Sequence, residues 1–252
     1  GSEMCIRDRV ESLSKEPAMR ALLFQPTVID GLYMALIFYA HPLSTYCAKV
    51  RIVLKLKSID FDEHIPPGGS YNSIAYRELV AAGSVPAIQD KSFVIHDSDA
   101  IVEYLEDCYP LPSMRALDSQ QRAYHRSVAR YHDTRLEPAL RQLFGFVGAM
   151  DTNLAAPALS ALTDCLSRLT KLVDPAPYLW EEQLCLTDCA YPTTLFMIQD
   201  VSEALGKSIK LPDKLQTWQS ALYKNHIIQQ VVDDNREAVS AWIISKQKSK
   251  TS

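Results

Sequence analysis

The sequence predicts an α/β domain followed by an all-helical one, and three observations carry that expectation. Ala35 to Lys57 passes from a short apolar run, through His41-Pro42, into a helical pattern. Two further apolar runs, Val85–Ile88 and Phe93–Ile95, are separated only by Gln89-Asp90-Lys91-Ser92. From Asp118 onward apolar residues recur at helical spacing, with no strand-like alternation between them.

Leu36, Ile37, Phe38 and Tyr39 form an unbroken run with aromatic and β-branched members, as expected of a strand covered on both faces. Cys47, Val50, Val53 and Leu54 then mark the buried stripe of a helix, with Lys49, Arg51, Lys55 and Lys57 as its solvent-facing charge. Either Ser44 or Thr45 caps that helix, placing a hydroxyl where unpaired N–H groups and the positive dipole end converge, a position that suits anions. Phe61 to Ile65 alternates as a half-exposed strand does, and Pro66-Pro67-Gly68-Gly69 breaks regular structure. Residues 73–82 read as a short helix closed by Gly83, and the two apolar runs after it form an antiparallel hairpin. Ser98 is the expected N-cap of a helix over 100–108, and Tyr109-Pro110-Leu111-Pro112 makes a linker. Beyond it, Pro138, Pro157, Pro175 and Pro212 divide the helical pattern into five or six helices of a bundle.

The 252 residues, 47% hydrophobic, suffice for one large or two ordinary domains. A net charge of −4 supplies no basic field for nucleic acid. The six cysteines are scattered, without C-x-x-C or histidine clusters, which argues against a zinc site or a disulfide framework and for a reducing, cytoplasmic setting. No apolar run has the ~20 residues of a membrane helix. Met34 directly precedes the first strand, so residues 1–33 are expected to be a dispensable extension, non-native or poorly ordered. Glu3, Asp8, Glu11 and Glu16 argue against a transit peptide.

Strand, helix, strand, loop, hairpin and helix in about 80 residues is the thioredoxin-like plan, and the motifs on it resemble those of the soluble glutathione transferases. HPLSTYCAKVRIVLKLKSIDF (41–61) is similar to the serine-bearing first turn and following helix of that family, of the theta and zeta kind. PPGG with ELVAAGSVPAI (66–69, 78–88) resembles its loop and Val-Pro strand, and VIHDSDAIVEYLEDCYP (94–110) its acid-Ser helix start. The resemblance implies residues 34–112 as a thioredoxin-like glutathione-binding domain, 113–246 as the all-helical domain and 247–252 as a tail. It further implies a homodimer, a detoxifying enzyme with glutathione as co-substrate, no metal, and an electrophilic small molecule as second substrate.

Position by position, the resemblance makes Ser44 the hydroxyl that stabilises the glutathione thiolate, with Thr45 and Tyr39 as rivals and Cys47 as a thiol for mixed-disulfide chemistry or, more simply, a buried apolar residue. Val85 offers its main chain to the cysteinyl unit, beside Pro86 in a cis bond; Asp97 and Ser98 take the γ-glutamyl end; Thr45 and Tyr46 contact substrate. Gly83-Ser84-Val85-Pro86 departs from the common Gly-Lys-Val-Pro, leaving Lys49, Arg51 or the PPGG loop to supply a cation. That departure sustains a second expectation, a non-catalytic binding or assembly module on the same fold. Ser44-Thr45-Tyr46 in place of the Ser-Ser-Cys of zeta-type isomerases speaks against maleylacetoacetate isomerisation, and the absence of Cys at 44 against a dehydroascorbate reductase. His132, on the first long helix of the second domain, reads as a general base, a ligand or a capped surface residue. In LCLTDCAYPTTLF (184–196) Cys185 stands where a capping box has Ser or Thr, so Asp188 carries the box or Thr187 becomes the cap.

Overall fold

A computed structural model describes residues 35–149 and 151–248, and the expectation for residues 1–33 lies outside them. Four strands, β1 (Leu36–Tyr39), β2 (Phe61–His64), β3 (Ala87–Asp90) and β4 (Phe93–His96), form one mixed sheet in the order β2-β1-β3-β4. β1 runs parallel to β2 and antiparallel to β3, which pairs with β4 as the expected hairpin. Alternation along β1 divides the core: Leu36 and Phe38 join the main cluster, whereas Tyr39 packs with Tyr76, Val80 and Ala87 on the other face. Helices α1 (Thr45–Leu56) and α3 (Ser98–Cys108) pack together, and the short α2 (Ile74–Leu79) carries Tyr76. α2 ends before Gly83, whose positive φ of 58° serves the following turn instead.

The helical half begins with α4 (Ser119–Tyr131), which continues through a widened π-type turn, His132–Leu136, into α5 (Glu137–Leu143). Pro138 therefore does not separate two helices. A proline ring collides with the carbonyl four residues back, and the chain relieves this by bonding Glu137 N–H to the carbonyl of His132, five residues away. α6 (Ala156–Leu172), α7 (Tyr191–Ala204), α8 (Asp213–Leu222) and α9 (His226–Lys248) complete the described bundle. Asp188 carries the capping box: its carboxylate accepts from Cys185 N at 2.9 Å, Leu179 N at 3.2 Å and Trp218 Nε1 at 3.0 Å, while Thr187 donates to the His125 carbonyl. No described helix is long and apolar enough to cross a membrane.

α1 touches α3 in its own half and α7 and α9 of the helical half, so it is enclosed on all sides. Three of its four cations, expected in solvent, are consequently buried. Lys49 is 0% exposed and pairs with Asp99 and, at 3.7 Å, with Asp133. Arg51 Nε donates to Glu63 at 2.8 Å, and Lys57 meets Glu106 at 2.7 Å and the carbonyls of Tyr109 and Pro112. Burying a charge is costly unless it is paired and hydrogen-bonded, and each of these is. Lys55 alone of the four remains partly exposed.

Candidate active site

Ser44 is the N-cap of α1, with extended backbone (φ −86°, ψ 117°), and its Oγ accepts the Cys47 N–H at 3.2 Å. The oxygen is thereby used as an acceptor, and the hydroxyl also lies against the buried Cys47 thiol, whose rise in pKa it opposes. Thr45, the alternative cap, is turned inward instead: it is fully buried, and its hydroxyl donates to Glu137 Oε1 at 3.1 Å. Tyr46 donates to Glu137 Oε2 at 3.0 Å and also approaches the Asp133 carbonyl at 3.3 Å. Burial, followed by the Glu137 and Asp133 charges, pushes the Tyr46 phenol well above its ordinary value, so it stays protonated. Glu137, itself buried, also receives Arg141 from the next turn.

Five of the expected residues, Tyr46, Val85, Pro86, Asp97 and Ser98, line one cleft of about 270 Å³, joined by Ser84, Arg130 and Asp133. Ser44 and Thr45 are not among the lining residues; Ser44 stands two residues before Tyr46 at the start of the same helix. The Val85–Pro86 bond is cis. β3 begins its pairing at Ala87, so Val85 extends two residues beyond the ladder, where an added strand would meet it.

Asp97, not Ser98, caps α3, its Oδ1 accepting from Asp99 N at 3.0 Å and Ala100 N at 3.1 Å. Its backbone (φ 77°, ψ 125°) lies in a region ordinarily left to glycine, at a cost of about 1–3 kcal/mol, and such strain concentrates at ligand sites. Asp97→Ala is expected to keep the strain and lose the cap, lowering stability by about 0.5–2 kcal/mol. Asp97→Gly relieves the strain as it loses the cap and should stay closer to wild type. Urea midpoints of the two variants decide this, and equal losses would show that the backbone is not strained.

Behind the cleft lies a chain of charge that the sequence did not disclose. Lys49 bridges Asp99 and Asp133, Arg130 stands 3.8 Å from Asp99, and His132 connects Asp133 (Nδ1, 2.6 Å) to Thr194 (Nε2, 2.8 Å). Burial works against the Asp133 charge, but the His132 hydrogen bond and the Lys49 charge outweigh it and hold the carboxyl at about 2. Asp99 moves the other way, raised chiefly by its burial. His132 is thus a buried link between helices, neither a surface residue nor part of the cleft wall. Tyr39 belongs to the strand core, and Cys47 is fully buried, its thiol pushed up to about 11 by burial.

Residues 38–113 match the family model for the glutathione S-transferase N-terminal domain. Among curated proteins, a maleylacetoacetate isomerase of Pseudomonas aeruginosa is 40% identical over 96 residues, 36% of this chain and 45% of the relative. Glutathione S-transferase Z2 of Arabidopsis thaliana is 34% identical over 110 residues, 42% of this chain and 47% of the relative. The chain thus spans about half the length of these curated relatives. Among solved structures, a theta class glutathione S-transferase from Xanthomonas axonopodis pv. citri, with glutathione bound, superposes with a TM-score of 0.66 at 22% identity, covering 79% of this chain and 98% of the other. Together with the sheet order and helical half described above, these matches show that residues 38–113 are similar to a glutathione S-transferase N-terminal domain and that the chain has the glutathione transferase fold.

Proposed function

We propose that the chain is a glutathione transferase in which the Ser44 hydroxyl and the N-terminal N–H groups of α1 stabilise the thiolate of glutathione for attack on an electrophilic small molecule. The observation that carries this reading is the N-cap geometry of Ser44, whose oxygen is fixed by Cys47 N at the start of α1, where the helix N–H groups converge. The rival hydroxyls are committed elsewhere, Thr45 and Tyr46 to Glu137 and Tyr39 to Gln89. A free thiol has a pKa near ~8.5, and lowering it by ~2 units requires about 2.7 kcal/mol of preference for the thiolate. One charge-assisted hydrogen bond of roughly 1.5–3 kcal/mol, aided by the helix terminus, is sufficient.

The remaining residues hold the tripeptide. The free edge at Val85 receives the cysteinyl main chain, and the start of α3 with Ser98 and Asp97 receives the γ-glutamyl end. A homodimer built from domains 34–112 and 113–246 is part of the same reading. Isomerisation of maleylacetoacetate would use the same thiolate, but here Tyr46, hydrogen-bonded to Glu137, follows the Ser-Thr pair where the zeta-type turn has cysteine. Ser84 on the cleft wall, in place of the lysine of the common motif, favours a second reading, a glutathione-binding module without turnover. Retention on immobilised glutathione followed by conjugation of an activated chloronitrobenzene separates these readings. Retention with chloride release supports the transferase, retention without turnover supports the module, and no retention overturns both.

A further inference from the structure

We propose that Arg130 is a ligand-binding residue that reads the α-carboxylate at the amino-acid end of a γ-glutamyl thiol, together with Ser98 and the start of α3. This deepens the glutathione reading and rests on it. The sequence left open which group supplies the cation missing at Ser84. Lys49 and Arg51 are removed from contention because both are buried and paired with carboxylates. Gly68 and Gly69 carry no side-chain charge, and neither they nor Pro66 and Pro67 line the cleft.

Arg130 differs on each count. It lines the cleft, its side chain is 58% exposed, and among the described residues its ion pair is the 3.8 Å approach of Nη1 to Asp99 Oδ2. Asp99 is already held by the closer Lys49, so Arg130 can turn to a ligand without stranding a buried carboxylate. Asp99 also belongs to the first turn of α3, its N–H bonded to Asp97, which places the guanidinium beside that helix start. Ser98 adds an independent sign of a ligand there. It is 4% exposed and lines the same cleft, yet its hydroxyl has no hydrogen-bond partner among the described residues.

The charge pattern of the wall fits a zwitterion. Asp97 and Asp133 present carboxylates to an ammonium, and Arg130 is the one cationic side chain among the lining residues. Without it, a ligand carboxylate would enter against two negative charges with only helix N–H groups in its favour. A guanidinium also matches a carboxylate in geometry, since its planar fork can offer two parallel donors.

The experiment is calorimetric titration of the full chain, as wild type, Arg130→Gln and Arg130→Lys. The two ligands are glutathione and γ-aminobutyryl-cysteinylglycine, the tripeptide that lacks the α-carboxylate. Arg130→Gln is expected to weaken glutathione by about tenfold, equivalent to ~1.4 kcal/mol, with Arg130→Lys in between. The decarboxylated ligand should bind wild type more weakly than glutathione does and lose less than about twofold further in Arg130→Gln, the non-additivity of a direct contact. Thermal midpoints should stay within about 2 °C, because the position is exposed. Glutathione affinity unchanged in Arg130→Gln, or equal losses on both ligands, overturns the assignment while leaving the glutathione reading intact. Wild type that binds no glutathione overturns that reading and this one with it.

Discussion

Ser44→Ala is expected to cut glutathione conjugation at least tenfold while leaving the thermal midpoint within a few degrees. The serine oxygen accepts one N–H, from Cys47, and cap loss of this kind costs about 0.5–2 kcal/mol. The catalytic loss has a different origin, because the proton that the hydroxyl would give to the thiolate is gone and the pKa of bound glutathione should rise with it. Thr45→Ala reverses the pattern. Its buried hydroxyl supports Glu137, so the variant should lose about 1–2 kcal/mol of stability while conjugation per folded molecule falls less. Steady-state rates and ultraviolet titration of the bound thiolate distinguish them. Greater catalytic damage from Thr45→Ala would move the thiolate contact from residue 44 to residue 45.

Lys49→Met should be the most destabilising single change of those considered, by about 3–5 kcal/mol, on the order of 10 °C in midpoint for a protein of this size. It leaves Asp99 and Asp133 facing one another in the interior without the cation that joins them. The deficit should depend on pH in a definite direction. Asp133, held at about 2 against an ordinary value near ~3.9, contributes stability that is present above pH ~4 and lost as pH falls through about 2. Lys49 is one cause of that depression, and it also opposes the rise of Asp99. Without it both carboxyls take up protons at higher pH, so the gap between variant and wild type should be widest near neutrality and narrow on acidification. Urea unfolding from pH 7 to pH 3 measures this, and a constant gap would show that lost packing of the lysine stem, and not its charge, is responsible.

The local signals in the sequence were sufficient for most of the chain. Alternation in β1, the hairpin after Val85 and the helical spacing beyond Asp118 depend on neighbours within a few residues, and the strands and helices before Tyr109 formed within two or three residues of their expected bounds. Five of the eight residues lining the cleft, Tyr46, Val85, Pro86, Asp97 and Ser98, were legible for the same reason, each lying in a short motif. Errors arose where a distant element decided the outcome. Lys49 reads as solvent-facing only if α1 has one buried stripe, yet Ala48 and Ile52 add apolar positions that leave little of its circumference polar. That all-round pattern marks an enclosed helix and was the available signal. Glu137 had none, because its partners, Thr45 and Tyr46, lie about 90 positions away and no periodicity couples them. Asp97 displaced Ser98 as cap because a strained backbone conformation is invisible in composition.

The widened turn at 132–136 sets a length requirement on the chain. It spends one residue without advancing the helix, and since successive side chains are set about 100° apart, every residue after it is rotated by roughly that angle from where a regular helix would put it. Arg130 and Asp133, at or before the turn, face the cleft, whereas beyond it Glu137 meets the start of α1 and is held there by Arg141. A one-residue deletion here, combined with Pro138→Ala to permit a regular helix, would retain all four of these side chains and still misalign the two pairs. Within this turn the exposed Thr134 and Arg135 should accept other residue types, while the number of residues should be almost fixed.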